Sequence, residues 1–500
     1  MSHWIIVPVV LPAIVAALMV LAMRNDILLQ RIFGLGATLA LGAVAAMLLH
    51  AASFGPPEAY FLGDWPAPFG IVLMLDRLSA QMLVLTAVLA FFVQLYVVGT
   101  DWDRRGRHFH ALFMFQMMGL NGAFLTGDLF NLFVFFEVLL IASYGLMIHG
   151  GGRDRLRAGL QYVAFNLLGS TLFLFALATL YSVTGTLNMA DLAEKAMLLP
   201  EGDAGLFRVA AVFLFLVFAI KGALVPLHFW LPGTYANAPG PVAALFAIMT
   251  KVGAYAMIRV FAGILPPEVP AIGPMIADIL LPAALVTMAV GAIGVLGARG
   301  LARLVSFAAI GSIGTLFTGI SLFTQQSITA ALYYLVHSTL ATAALFLLTD
   351  MILRARGDDT VREARAPIPR NGLTAALFFV AAIAIAGLPP LSGFLGKLLI
   401  LDAARFDMMT VWPAVLITSL LTIIGLATAG STLFWKAAGE PENPVEAAGP
   451  LPFVAIGGLI ACMVALTLFA GPLTGYLSQT AGTILDPGSY IGANYLADQD

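Results

Sequence analysis

The chain has 500 residues, of which 61% are hydrophobic and only 10% charged, against roughly a quarter charged in soluble proteins. With a mean hydropathy of +0.97, this composition excludes a soluble globular fold and points to an all-α polytopic membrane protein. A net charge of −3 gives no sign of nucleic-acid binding, and the single Cys462 leaves no intrachain disulfide and no Cys/His cluster for zinc or an iron–sulfur centre.

About 14 transmembrane helices are predicted, each near the roughly 20 residues a bilayer requires. They fall near 4–23, 32–51, 78–99, 109–126, 129–148, 159–182, 207–226, 240–262, 275–297, 303–323, 327–352, 372–403, 412–435 and 451–472. The first, MSHWIIVPVVLPAIVAALMVLAM, has no basic leader and no cleavage site, and reads as an uncleaved span. The seventh is broken at Pro226, with Pro232 close behind. The twelfth is broken at Gly387, Pro389 and Pro390. Proline removes a backbone donor and clashes with the preceding turn, so each of these spans should divide into two half-helices.

The two breaks lie five spans apart. Matched broken helices are the sequence sign of an inverted-repeat transporter, in which irregular backbone lines a polar cavity. Two inverted five-helix repeats are therefore expected, about 109–262 and 275–435, flanked by helices in 1–99 and 451–472. All belong to a single membrane domain, 1–500. Isolated prolines are common in membrane helices, and it is the polar residue beside each break that gives these two their weight.

Loop charges set the orientation. With the N-terminus placed outside, the inner loops hold sixteen Lys and Arg residues and the outer loops four: Arg77, Lys195, Arg208 and Arg405. Both termini are expected on the periplasmic or exterior side of a bacterial plasma membrane. Residues 354–370 form a charged inner linker.

Charges inside the apolar runs carry the functional reading. Glu137 lies in FNLFVFFEVLLIASYGLMI, Lys221 follows VFLFLVFAI, Lys251 interrupts PVAALFAIMTKVGAYAMI, and Lys397 ends GLPPLSGFLGK. Unpaired at the bilayer centre, four such charges would cost on the order of 10 kcal/mol. Glu137 and Lys221 form the first candidate pair. A buried lysine gives up its proton more readily, and a nearby carboxylate holds it, so separating the two would release a proton. A static ion pair fixing helix packing is the alternative. Lys251 and His337, the latter in ALYYLVHSTLATAALFLL, are the next links, since His relays protons near neutral pH. His337 alone would serve equally as a hydrogen-bonded packing residue, and Lys397 as a snorkelling lysine near a helix end.

His228, just past Pro226, is placed to bond the freed backbone carbonyls or to admit protons. Asp76 and Asp128 begin spans and read as caps. Asp278, Asp350 and Arg259 lie near span ends and read as interfacial. Ser143, Tyr144, Thr250, Ser338 and Thr342 could hold water between charges. No phosphate loop, dinucleotide fingerprint, metal-ligand cluster or nucleophile elbow is present, and no cofactor is expected.

These runs, with KGALVPLHFWLPGTYANAPGPVAALFAIMTKVGAY from Lys221, resemble the antiporter-like subunits shared by respiratory complex I and Mrp-type multisubunit cation/proton antiporters. The likeness covers roughly spans 3 to 13 and is nearest to the D-type branch of the Mrp subunits. It implies 14 helices, two inverted repeats and broken seventh and twelfth helices. It also implies a proton path through Glu137, Lys221, Lys251, His337 and Lys397, and a place in a hetero-oligomer exchanging protons for Na⁺ or K⁺ rather than an enzyme. Lys397 stands where one complex I branch has glutamate. The lateral C-terminal helix of another branch is absent, since the chain is expected to end soon after its fourteenth span. A proton-pumping subunit of a complex I-type oxidoreductase or membrane hydrogenase, and a non-conducting scaffold, are the rival readings.

Overall fold

Apolar runs of the predicted length form helices throughout the computed structural model, which describes residues 3–439 and 447–495. Met1 and Asp500, whose side of the membrane the loop charges predict, lie outside the described residues. Among the described residues, eleven helices are long and apolar enough to cross a membrane, and shorter apolar helices join them. The order opens with α1 (His3–Leu21) and α2 (Ile27–Phe54), then a hairpin of β1 (Glu58–Phe61) and β2 (Val72–Leu75). It continues with α3 (Arg77–Thr100), α4 (Phe109–Leu125), α5 (Leu129–Met147), α6 (Arg153–Thr184) and the short amphipathic α7 (Met189–Met197).

The seventh span is α8 (Ala204–Lys221) followed, after an irregular stretch, by α9 (Trp230–Asn237). The break falls where Pro226 places it, but the span does not stop there. It runs on to Asn237, beyond the predicted limit of 226. The eighth span is itself divided, into α10 (Gly240–Phe246), α11 (Met249–Met257) and a π-helical segment Ile258–Ile264. Next come α12 (Met275–Gly297), α13 (Leu301–Ser321), α14 (Gln325–Arg356), α15 (Asn371–Ala386), α16 (Ser392–Ala403) and α17 (Met408–Gly430). The twelfth span thus breaks between α15 and α16, at Gly387 to Pro390. The predicted fourteenth span ends at Leu468 as α18 (Pro450–Leu468). Two further helices follow it, α19 (Ala470–Leu485) and α20 (Gly488–Tyr495), so the chain runs on further past that span than expected.

Local signals explain several boundaries. Asp76 caps α3 by accepting from the Ser79 amide at 2.8 Å, and the Ser79 hydroxyl accepts from the Asp76 amide at 2.9 Å, a reciprocal capping box. Thr324 and Ser327 do the same for α14. Gly185 and Gly357 end α6 and α14 at φ +69° and +79°, a conformation glycine adopts without a Cβ penalty.

Side-chain contacts sort the loops onto two faces. On one, Arg31 meets Asp101 and Asp103, Arg354 donates to the Thr100 carbonyl, and Arg155 donates to the His149 and Asn237 carbonyls. Burial works against ionisation at Asp103, yet the Arg31 guanidinium and His110 hold its carboxyl down at about 2. This is the arginine-rich face. The opposite face carries the hairpin, α7, α19 and α20: Tyr476 donates to the Arg77 carbonyl, and Asn188 donates to Asn494. The eighth span is buried along its whole length, whereas most of α17 is exposed or half-buried. The bundle therefore centres on α10, α11, α13 and α14, and α17 presents its side to lipid or to another chain.

Candidate functional site

Lys221 is the last residue of α8 and is 7% exposed. Its Nζ donates to Asn166 Oδ1 at 2.9 Å and lies 5.8 Å from the centroid of the Phe136 ring. A cavity of about 10 Å³, room for about one water, adjoins it, lined by Tyr162, Asn166, Trp230, Met249 and Val252. At the break the Ile220 carbonyl accepts from the Ala223 amide at 3.1 Å and from the Trp230 indole at 2.9 Å. Glycine permits the helices to meet here: a Cβ at Gly253 would stand 2.6 Å from the Gly222 nitrogen.

Glu137 sits half-buried on α5 and accepts a hydrogen bond from the Ser170 hydroxyl. Among the described residues no ion pair within 4 Å joins Glu137 to Lys221, but the two charges lie within electrostatic reach of each other. Asn166 and Ser170 stand one turn apart on α6, and each takes one of the two charges. Neither was singled out from the sequence. The available signal was two polar residues at i and i+4 near the middle of the span.

Lys251, on α11, is 1% exposed, and α11 packs against both α8 and α13. It lies within electrostatic reach of His337, as does Lys397. His337, on α14, is fully buried. Its Nδ1 is 2.8 Å from the hydroxyl of Ser392, the first residue of α16, and the ring also faces the Ala384 carbonyl at the end of α15. Thr342 Oγ1 on the same helix is buried without a hydrogen-bond partner. Buried polar atoms of this kind are where water completes a network. Ser143, another hydroxyl read as a water holder, is 2.9 Å from the Tyr162 hydroxyl.

Lys397 completes the set beside the second break. Its Nζ donates at 2.8 Å to the Ala386 carbonyl, the last of α15, and at 2.8 Å to Ser419 Oγ on α17. A second cavity of about 10 Å³ adjoins it, lined by Ser312, Thr315, Tyr334, Thr418, Ser419 and Thr422. Lys397 is therefore held over a helix end inside the bundle rather than snorkelling away from it. Gly387 is at φ +81°, and a Cβ there would stand 2.6 Å from Lys397 Cδ. Gly393 is equally constrained, since a Cβ would press on the Ala384 carbonyl oxygen and stand 2.7 Å from His337 Nε2. Gly393→Ala is expected to cost about 1–3 kcal/mol through overpacking and to displace the His337 ring. Thermal unfolding of the purified assembly should show the loss.

Pro226, Pro389 and Pro390 stand in the irregular segments themselves. His228 lies half-buried with its ring 4.6 Å from that of Phe229, and its Nδ1 has no hydrogen bond. The ring is within hydrogen-bonding reach of the Pro226 carbonyl, one of those in the break, as the sequence suggested. Two of the residues near span ends are buried within the protein. Arg259 is 5% exposed and pairs with both carboxylate oxygens of Asp76, at 2.5 and 2.8 Å. Asp350 is 3% exposed and accepts from the Tyr96 hydroxyl at 2.8 Å and from the Trp102 indole at 2.9 Å.

Chemically, the site is a series of buried amines, one imidazole and one carboxylate, spaced by hydroxyl and amide side chains and by water-sized cavities. Such a series can hold and pass protons. The chain matches the family described as NADH:quinone oxidoreductase/Mrp antiporter, transmembrane, over residues 126–424. It is 37% identical to the D-type subunit of a probable K⁺/H⁺ antiporter of Rhizobium meliloti (strain 1021), covering 97% of this chain and 96% of that one. It is also 37% identical to the D-type subunit of a Na⁺/H⁺ antiporter of Bacillus subtilis (strain 168), covering 99% of each. Its fold superposes on a chain of the Mrp complex from Dietzia sp. DQ12-45-1b with a TM-score of 0.89 at 27% identity, covering 99% of this chain and all of that one.

Proposed function

Since this chain belongs to the NADH:quinone oxidoreductase/Mrp antiporter family, we propose that it is the proton-conducting subunit of a multisubunit monovalent cation/proton antiporter. The observation that carries the mechanism is Lys221, a buried amine at a helix break, held by Asn166 one turn from the serine that binds Glu137. Protons pass along Glu137, Lys221, Lys251, His337 and Lys397. A small rotation of α6 moves Asn166 and Ser170 together, and so changes the contacts of both charges at once. That makes α6 the gate. The membrane potential supplies about 2.3 kcal/mol per charge per 100 mV, comparable to a pKa change of one to two units at about 1.36 kcal/mol each.

Residues 109–262 and 275–435 act as two inverted halves, each contributing one broken helix and its lysine. The arginine-rich face is cytoplasmic, as the loop charges favour, in a bacterial plasma membrane. Other subunits complete the assembly and carry the exchanged cation, Na⁺ or K⁺. The 37% identity to two antiporter subunits, over nearly the whole chain, favours this reading over a redox-driven pump.

The test is proton movement in everted vesicles carrying the whole complex, without respiratory substrate. Adding Na⁺ or K⁺ should collapse an imposed pH gradient, and vesicles lacking this subunit should not respond. A flux that needs a quinone reductant would overturn the assignment.

A further inference from the structure

A cavity of about 570 Å³ opens at the arginine-rich face. Its walls include Tyr96, Trp102, Arg105, Tyr235, Asp350 and Arg354. Asp350 is the buried carboxylate in it, and the proton path from Glu137 to Lys397 leaves it unused.

The carboxylate is prepared for a proton in two ways. First, its two hydrogen-bond partners differ in kind. The Trp102 indole can only donate, and it holds the ionised group in place. The Tyr96 hydroxyl donates to Oδ2 at 2.8 Å, but a hydroxyl can also accept. When Oδ2 takes a proton, Tyr96 turns and accepts from it, so both protonation states are satisfied without moving the helices. Second, the charges facing Asp350 come from three elements. They are Arg105 from the turn after α3, Arg155 from α6 and Arg354 from α14 itself. None of the three pairs with it within salt-bridge distance: Arg105 stacks on Trp102, and Arg155 and Arg354 are bonded to backbone carbonyls.

The cavity also borders the midplane chain. Tyr235 lines it, and the Tyr235 ring lies 6.0 Å from Trp230, which in turn lies 5.6 Å from Tyr162. Trp230 and Tyr162 line the small cavity beside Lys221. One aromatic wall therefore separates the Lys221 cavity from the one holding Asp350.

We propose that Asp350 is the carboxyl at which protons pass between the midplane chain and water at the arginine-rich face. The step is balanced: the carboxylate and a hydronium ion in the cavity become the carboxylic acid and water, and the reverse returns the proton. This rests on the proton-conducting reading, but part of its test does not.

Asp350→Asn and Asp350→Glu are placed in the whole complex and assayed for Na⁺- and K⁺-dependent proton flux in everted vesicles from pH 6 to 9. Asp350→Asn should lower the flux about a hundredfold, the lower range for loss of a proton-transferring group. Asp350→Glu should keep most of the flux and shift its pH profile, which a purely structural carboxylate would not do. Separately, Ala238→Cys at the cavity wall, combined with Cys462→Ser, should react with a membrane-impermeant maleimide in everted but not right-side-out vesicles. That result concerns access alone and stands whether or not protons flow. Wild-type flux in Asp350→Asn, an assembled but inactive Asp350→Glu, or an unreactive Cys at position 238 would each overturn the proposal. Should Asp350→Asn fail to assemble, the glutamate variant and the maleimide reaction decide it.

Discussion

Lys221→Met is expected to remove cation-driven proton flux from the whole complex, by about a hundredfold or more, while leaving the complex assembled. Methionine matches the lysine stem in length and carries no charge, so it fits the space between α5, α6 and the break. Its main structural cost is the Asn166 side-chain oxygen, which loses the donor now 2.9 Å away. An unpartnered buried acceptor costs about 1–3 kcal/mol, and a water in the adjoining cavity would recover part of it. The desolvation cost of the lysine charge is removed with it, which offsets the lost attraction to the half-buried Glu137. Flux and assembly should therefore separate. Native gels would show the complex at wild-type abundance, and vesicles would show no response to Na⁺ or K⁺. A scaffold lysine predicts the reverse, lost assembly with flux falling only in proportion.

Arg259→Met should have the largest effect on stability. Asp76 and Arg259 form a bidentate pair, both nearly buried, in which Asp76 also caps α3. The guanidinium lies 5.1 Å from the centroid of the Tyr490 ring, so the same pair anchors α20 to the bundle. Removing the arginine leaves a buried carboxylate without its partner, a loss of about 3–5 kcal/mol. The melting temperature of the purified complex should fall and α20 should become sensitive to protease. Adding Asp76→Asn to the variant should restore part of the loss, because asparagine can still cap the helix without a charge. An unchanged melting temperature in the single variant would mean the pair is dispensable.

The sequence made the spans and both breaks legible because each has a strong local cause: an apolar run of bilayer length, or prolines beside glycine. It did not reveal that the seventh span resumes at Trp230, since α9 is eight residues long and rich in turn formers. The split of the eighth span was hidden because no proline marks the joints between α10, α11 and the π-helical segment, and Lys251 and Arg259 are not helix breakers. The five charged or titratable midplane residues were visible as anomalies of composition. Their partners were not, because spacing along a helix says nothing about its rotation against a neighbour. Glu137 and Lys221 therefore read as a pair, but the α6 side chains that each bonds, Ser170 and Asn166, stayed hidden. Arg259 and Asp350 read as interfacial because each lies near a span end. Their partners, 183 and 254 residues away in sequence, become apparent only in three dimensions.

Proton passage through the polar chain that begins at Glu137 is the central claim, and Glu137→Ala in the whole complex tests it most directly. The Ser170 hydroxyl loses its acceptor on α5 and can turn to bond backbone within α6, so assembly should persist. Cation-dependent collapse of a pH gradient in everted vesicles is predicted to disappear while the complex remains at normal abundance. Antiport at the wild-type rate in that variant would contradict the account.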